Sequence, residues 1–356
     1  DTDRSRGLGD VYKRQGITIM SRVRDVAQVA GVSVATVYKV FNEDYTTSED
    51  VRNRVIVAAK TLSYTHKASS EKTQKTAAKN TVGIVVGSIL NPFFNRMIEA
   101  ISKEFERYHY RVLILYCNDD VHQFNSNLEL LMQLNVKAVI FEPMTDTRYD
   151  IVYRLKENGI VMLQLFSSVY PELDTLQFDD ELGTYTAVKH FLKSGHSRIA
   201  MFYKYWAIRP EREPGYLRAF QEFNIDVNPE FLCKLSFEGS IKNIIKERIE
   251  KLKPTAILAV NEPISINVVQ ALGELNLKIP EDISLIIYDD LSWATAYNIS
   301  TIAHAFDSVG SQVCQVIMRR IKLAGTGQEI EPIRLVIDPE LISRGSVSFH
   351  TPISTE

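Results

Sequence analysis

Apolar and polar positions follow two different rhythms along this chain of 356 residues. Near the start, Val23, Val26, Ala27 and Ala30 recur at i, i+3, i+4 and i+7, the spacing of one helical face. Gly31 follows, a residue suited to the position beyond a helix end. Ser33 is placed to cap a second helix in which Val37 and Phe41 face inward. Ser48 is placed to cap a third, with Glu49 and Asp50 favouring its first turn. Val51, Val55, Ala58 or Ala59, and Leu62 would form its buried stripe. The rhythm then lapses. Residues 65–81, THKASSEKTQKTAAKNT, are polar, basic and nearly free of large apolar groups, and they are read as a linker.

From Val82 a second rhythm takes over. Near-continuous apolar runs are VGIVVGS, RVLILY, KAVIFE, IVMLQL, RIAMFY, TAILAV, ISLIIY and IRLVI. Amphipathic stretches such as FFNRMIEAISKEFERY and DELGTYTAVKHFLKSG separate most of them. Apolar strands alternating with helices predict parallel sheets covered on both faces. So much of this pattern is too long for one sheet and predicts two α/β lobes. The expected division is a polar leader over 1–19, non-native or disordered, with Met20 as the true start, and a helical headpiece over 20–64. The linker over 65–81, a core over 82–349 and a tail over 350–356 complete it. Within the core, one lobe is expected over about 82–178 and 306–330, the other over about 179–305 and 331–349.

Charge and cysteine content narrow the classes. The net charge of −3 excludes a polycation. Residues 20–75, however, carry nine Lys and Arg against six Asp and Glu, a local basic excess that suits phosphate contact. Cys117, Cys233 and Cys314 lie far apart and suggest no disulfide framework, which fits a reducing cytoplasm. No run approaches a membrane span, so no membrane partner is expected. No P-loop, GxSxG or metal-spaced His/Cys set appears; no catalytic residue, metal ligand or cofactor is assigned.

Two helices joined by a tight glycine turn match a helix-turn-helix, whose second helix would offer Val34, Ala35, Tyr38 and Lys39 to a major groove. VRDVAQVAGVSVATVYKVFN resembles the headpiece of LacI/GalR-family bacterial transcription regulators. The resemblance continues through LSY, VGIVVGSILNPFF, KSGHSRIAMF, RPEREPGYLRAF, PTAILAVNEPISINVVQAL and IPEDISLIIYDD. It implies a three-helix headpiece plus a two-lobed periplasmic-binding-protein-like core of parallel sheets. It also implies a homodimeric repressor on a near-palindromic double-stranded DNA operator, controlled by a small molecule between the lobes.

The resemblance also implies residue roles. Val34, Ala35, Thr36, Tyr38, Lys39 and Asn42 fall on the DNA-reading helix. Lys39 stands where the family usually has Arg, so it keeps a donor for guanine but loses the planar fork. Tyr38 stands where Ser is common. In the linker, His66 and Thr73 replace the family's hinge Pro and Leu. Thr73 would be a poor minor-groove wedge, while Lys67, Lys72 and Lys75 could still reach phosphates.

For the effector, Phe93, Arg212, Phe237, Asn261, Asp289, Trp293 and His304 are expected to line the cleft. Arg212 lies in RxxGY, and Phe237 would be an aromatic platform. Phe166 is apolar where related sugar-responsive proteins often carry a polar group, and Glu262 replaces a common Asp. These point to a sugar, a sugar phosphate or a nucleoside. His196 is expected to be structural. Two rival functions remain. A solute-binding protein would share the core but not the headpiece. An enzyme would draw on the pairs Asp179/Asp180 and Asp289/Asp290, but adjacent carboxylates point apart.

Overall fold

Val26, Ala27 and Ala30 of helix α1 (Val23–Ala30), Val37 and Val40 of α2 (Val34–Phe41), and Val55, Ala58 and Ala59 of α3 (Glu49–Thr61) close a small core. The turn between α1 and α2 needs its glycine: Gly31 has φ +65°, and the Val32 N–H behind it donates to the Ala27 carbonyl at 3.0 Å. Ser33 Oγ accepts from Thr36 N at 3.1 Å, as its capping position predicts. Ser48 occupies the N-cap of α3, but its side chain makes no capping bond. In α2, Val40 is buried in addition to Val37, while Phe41 is only half-buried.

The structure is a computed structural model and describes residues 23–41, 47–62, 64, 80–144, 147–204, 212–235, 240–324, 326 and 331–350. The expected leader, Asn42, the linker residues up to 79 (including His66, Lys67, Lys72, Thr73 and Lys75), Phe237 and residues 351–356 lie outside these. The chain divides into two compact units, Asp1–Ala77 and Ala78–Glu356.

The second unit holds two six-stranded sheets. The first has the order β11-β5-β4-β3-β1-β2 and the second β12-β10-β9-β8-β6-β7. In chain order the strands are β1 (Thr81–Val86), β2 (Arg111–Tyr116), β3 (Ala138–Phe141), β4 (Val161–Leu165), β5 (Asp174–Phe178), β6 (Ile199–Tyr203), β7 (Leu232–Lys234), β8 (Ala256–Ala259), β9 (Ser284–Tyr288), β10 (Ser300–Ala303), β11 (Arg334–Ile337) and β12 (Glu340–Ile342). All pairings are parallel except β10 with β12. Thr81, counted with the linker from sequence, already pairs with Arg111. Central strands β3, β6, β8 and β9 are buried throughout, because helices cover both faces of each sheet.

The lobe boundary expected at 331 is corrected. β11 belongs to the first lobe, pairing with β5 from Arg334↔Thr175 to Ile337↔Phe178. Leu335 and Ile337 pack on the first lobe's core. Buried Asp174 fixes the register: it accepts from Ile333 N at 2.8 Å and from Arg320 Nε at 2.7 Å. The chain therefore changes lobe three times, at Phe178–Asp180, at Ala303–Phe306 and at Ile337–Glu340. Strands β5, β7, β10 and β12 were not among the sequence-predicted runs. β7 and β12 are only three residues long, and DTLQF and STIA interleave polar residues that the fold buries, such as Thr175, Ser300 and Thr301.

His196 is buried and fully engaged. Its Nδ1 lies 3.0 Å from Thr255 Oγ1, and its Nε2 lies 3.0 Å from the Ser348 carbonyl and 2.9 Å from Ser284 Oγ. It pins the C-terminal strand region to the second sheet.

The helices Pro92–Arg107 and Phe306–Leu323 cross closely in the first lobe. A Cβ built on Gly310 would lie 2.5 Å from the Ala100 carbonyl oxygen, a backbone atom that cannot yield. Gly310→Ala is expected to destabilise the second unit by about 1–3 kcal/mol. Urea unfolding checks this; an unchanged midpoint would show that the two helices separate freely.

Candidate functional sites

The outward face of α2 is set by what its other face buries. With Val37 and Val40 inside, Ala35, Tyr38 and Lys39 are exposed. Val34 and Thr36 are half-buried, Val34 against the small core and Thr36 held near Ser33 Oγ. Ala35, Tyr38 and Lys39 lie at i, i+3 and i+4, one continuous stripe on the second helix of a helix-turn-helix.

The second site is a cavity of about 350 Å³ between the lobes, within the range of small-molecule pockets. It is built where strands end and helices begin. Asn91 caps the helix Pro92–Arg107 by accepting from Phe93 N at 3.0 Å. Asn261 caps the helix Glu262–Glu274 by accepting from Ile264 N at 3.0 Å. Each asparagine spends its carbonyl oxygen on the cap and keeps its NH₂ group as a donor. Both line the cavity.

The first lobe supplies aromatic rings. Phe93 lies 5.5 Å from Phe166 and 5.9 Å from Phe178, and Phe166 and Phe178 stack at 5.7 Å. Phe166 holds a left-handed φ of +63°. Its N–H donates to the Leu176 carbonyl, tying that turn to β5. Phe178 and His304, on two neighbouring crossovers, bring their rings to 4.0 Å.

The second lobe supplies charge. Arg212 Nε and Nη2 both donate to Asp180 Oδ1, at 3.1 and 2.9 Å. Nη1 donates to the Val260 carbonyl at 2.8 Å, and the guanidinium lies over the Tyr288 ring at 4.4 Å. Asp289 is buried, with φ +70°. Its Oδ1 lies 3.5 Å from His304 Nε2. Burial raises the Asp289 carboxyl to about 7; Asp180 and Glu262 add to the rise, against Arg212. Burial, with help from Arg212, lowers His304 to about 3, so its imidazole is neutral. His304 Nδ1 has no hydrogen-bond partner among the described residues.

Residues 22–66 match the sequence model described as bacterial regulatory proteins, lacI family. Residues 188–347 match the periplasmic binding protein-like domain. The first match covers the helix-turn-helix, and the second covers most of the second lobe together with the first lobe's helix Phe306–Leu323 and strand β11. The chain belongs to the LacI family of bacterial regulatory proteins. It is 29% identical to the ribose operon repressor of Escherichia coli K12, over 92% of this chain and 100% of that protein. It is 26% identical to the transcriptional repressor PurR of Histophilus somni 2336, over 92% and 99%. The lac repressor dimer bound to operator and the anti-inducer ONPF shares the fold, with a TM-score of 0.65 at 22% identity, over 92% and 99% of the two chains.

In this LacI-family chain the cavity gathers Phe93, Arg212, Asn261, Asp289 and His304. Trp293 is corrected. It lines a separate groove with Arg96 and Asp290, and its ring packs on the second lobe's core. The reason is local. The Leu291 N–H turns back onto the Asp289 carbonyl at 3.0 Å, and the short helix Ser292–Ala296 carries the indole away. The sequence reading missed Asp180, Phe178 and Lys204 as cavity residues. A recognised strand at DTLQF would have put Phe178 and Asp180 at its C-terminal end, where such sites form.

Asp289 holds its proton more tightly folded than unfolded. Its contribution to stability is therefore greatest below its unfolded pKa near 4 and is lost as pH rises through about 7. Asp289→Asn removes the titration, and asparagine tolerates the left-handed backbone. Thermal melts should show the variant gaining on the wild type from pH 5 to pH 8, by on the order of 1–3 kcal/mol. A gap independent of pH would contradict a raised Asp289 pKa.

Proposed function

We propose that this chain is a transcriptional repressor that binds operator DNA as a homodimer through α2. Its operator affinity is set by a small molecule, a sugar or a sugar-bearing compound, held between the two lobes of the second unit. The observation that carries this reading is the presence in one chain of a helix-turn-helix and a cleft lined by residues of the lobe crossovers. A solute-binding protein has no use for the first, and the cleft gives a DNA-binding unit something to sense. Relatives with assigned roles support it, among them a ribose operon repressor. As a LacI-family regulator the chain is a binding protein and not an enzyme. A DNA regulator works where the chromosome is, which places it in the cytoplasm. Among the described residues no helix is long and apolar enough to cross a membrane.

The mechanism follows from where the cavity residues sit. Phe178, Asp180 and His304 lie on or beside the segments about which the lobes turn. A ligand touching them favours one lobe arrangement over another by the difference in its affinity for the two. On the DNA side, Ala35 suits apolar contact with a thymine methyl, and Lys39 suits donation to guanine.

Selection of sites from a random duplex pool with the full chain tests the reading. Enrichment of a near-palindrome is expected; a pool without enrichment would remove DNA reading from the function. On the selected site, Lys39→Ala should weaken binding by about 1–3 kcal/mol and relax preference at one base position. Fluorescence anisotropy with single-base variants checks this, and unchanged preference would count against Lys39 as a reader.

A further inference from the structure

The cavity is chemically graded from its inner end to its mouth. Innermost are the buried rings of Phe94, Phe166 and Phe178, with Asp289 and His304 beside them. His304 is 92% buried, and its Nδ1 is unpartnered among the described residues. His304 Nε2 lies 3.5 Å from Asp289 Oδ1, and in the tautomer that carries its proton there Nδ1 is a lone-pair acceptor. Asp289 offers carboxyl oxygens next to it. The inner end thus combines flat apolar walls with acceptors at one edge. That is the complement of a flat heteroaromatic ring bearing N–H donors. A free sugar could lay one C–H face on these rings, but the hydroxyls around its edge would find only Asp289 and His304 there to replace the water they lose.

The mouth is different. Asp119, Glu142 and Glu262 lie there, partly or fully exposed, against Lys204. Over the whole described lining, five acidic side chains, one of them Asp289 with its raised pKa, face two cations. One cation, Arg212, is already committed to Asp180. The dipole at the start of the helix Glu262–Glu274 is met by the carboxylate of Glu262 itself. Carboxylates accept hydrogen bonds from paired hydroxyls, whereas a phosphate group near −2 at neutral pH would meet like charge.

We infer that the effector is an unphosphorylated heteroaromatic glycoside of the nucleoside kind, its ring among Phe166, Phe178 and His304 and its sugar toward the carboxylates at the mouth. This rests on the cleft being the effector site.

Isothermal titration of the full chain tests it, using adenosine, guanosine, cytidine and uridine, the 5′-monophosphate of each, and ribose. At least one nucleoside should bind at least about tenfold tighter than both its monophosphate and ribose, a gap of about 1.4 kcal/mol. Phe166→Leu keeps the apolar volume and removes the ring; it should cost that nucleoside at least about tenfold. Glu142→Gln combined with Glu262→Gln should narrow the gap between the nucleoside and its monophosphate. A monophosphate binding as tightly as its parent overturns the inference, as does heat from none of the four nucleosides. Ribose binding as tightly as any nucleoside also overturns it, yet leaves the cleft as the effector site. A nucleoside whose affinity neither Phe166→Leu nor Asp289→Asn alters overturns both, because it binds elsewhere.

Discussion

Ionised groups removed from water must be paired or must give up their charge, and the meeting place of the two lobes is arranged around that constraint. Arg212 is the central group. Its guanidinium reaches Asp180 on the first crossover, the Val260 carbonyl at the end of β8 and the Tyr288 ring at the end of β9. One side chain therefore gathers three separate strand and crossover ends. Asp289, whose ion-pair neighbour among the described residues is the neutral imidazole of His304, responds the other way and holds its proton up to about neutrality. Replacing Arg212 alone would leave Asp180 uncompensated, which costs more than the pair contributes. Arg212 thus holds the ends of two second-lobe strands to the first crossover, and it does so within the lining of the cavity.

The legible parts of the molecule were those in which local pattern and final environment agree. The one-sided spacing of Val23 to Ala30, the glycine at 31 and the unbroken apolar runs of β1, β3, β6, β8 and β9 each point to the element that forms. Strands of mixed polarity escaped notice because several of their polar residues are satisfied by partners distant in sequence. Ser300 N, for example, donates to Ser346 Oγ at 2.8 Å. The return of β11 to the first lobe was hidden for the same reason. Its register depends on Asp174 and Arg320, 146 positions apart in sequence.

The cleft was legible in outline. Phe93, Arg212, Asn261, Asp289 and His304, and the two departures Phe166 and Glu262, were named from sequence, and all seven line the cavity. Asp180 was visible only as one of two adjacent acids. Its pairing with Arg212 spans 32 residues of chain and depends on the starts of two second-lobe helices meeting. Trp293 erred in the opposite sense. Its distance from Asp289 along the chain is short, but one backbone turn sends Asp289 into the cavity and Trp293 into the neighbouring groove beside Arg96 and Asp290.

The three crossovers have a mechanical consequence. Three strands running between the lobes resist sliding and twisting together, and they leave bending about a line across them as the soft motion. The Phe178–His304 ring pair sits on that line, while Leu90 stands at the mouth with 86% of its surface in water. Displacement grows in proportion to distance from a pivot. A wedge of ring thickness inserted beside the pivot therefore moves the outer rim several times further than it moves the rings themselves. The cleft works as a lever with its short arm at the inner end, and a compound that fills only the mouth pushes on the long arm, where little is amplified.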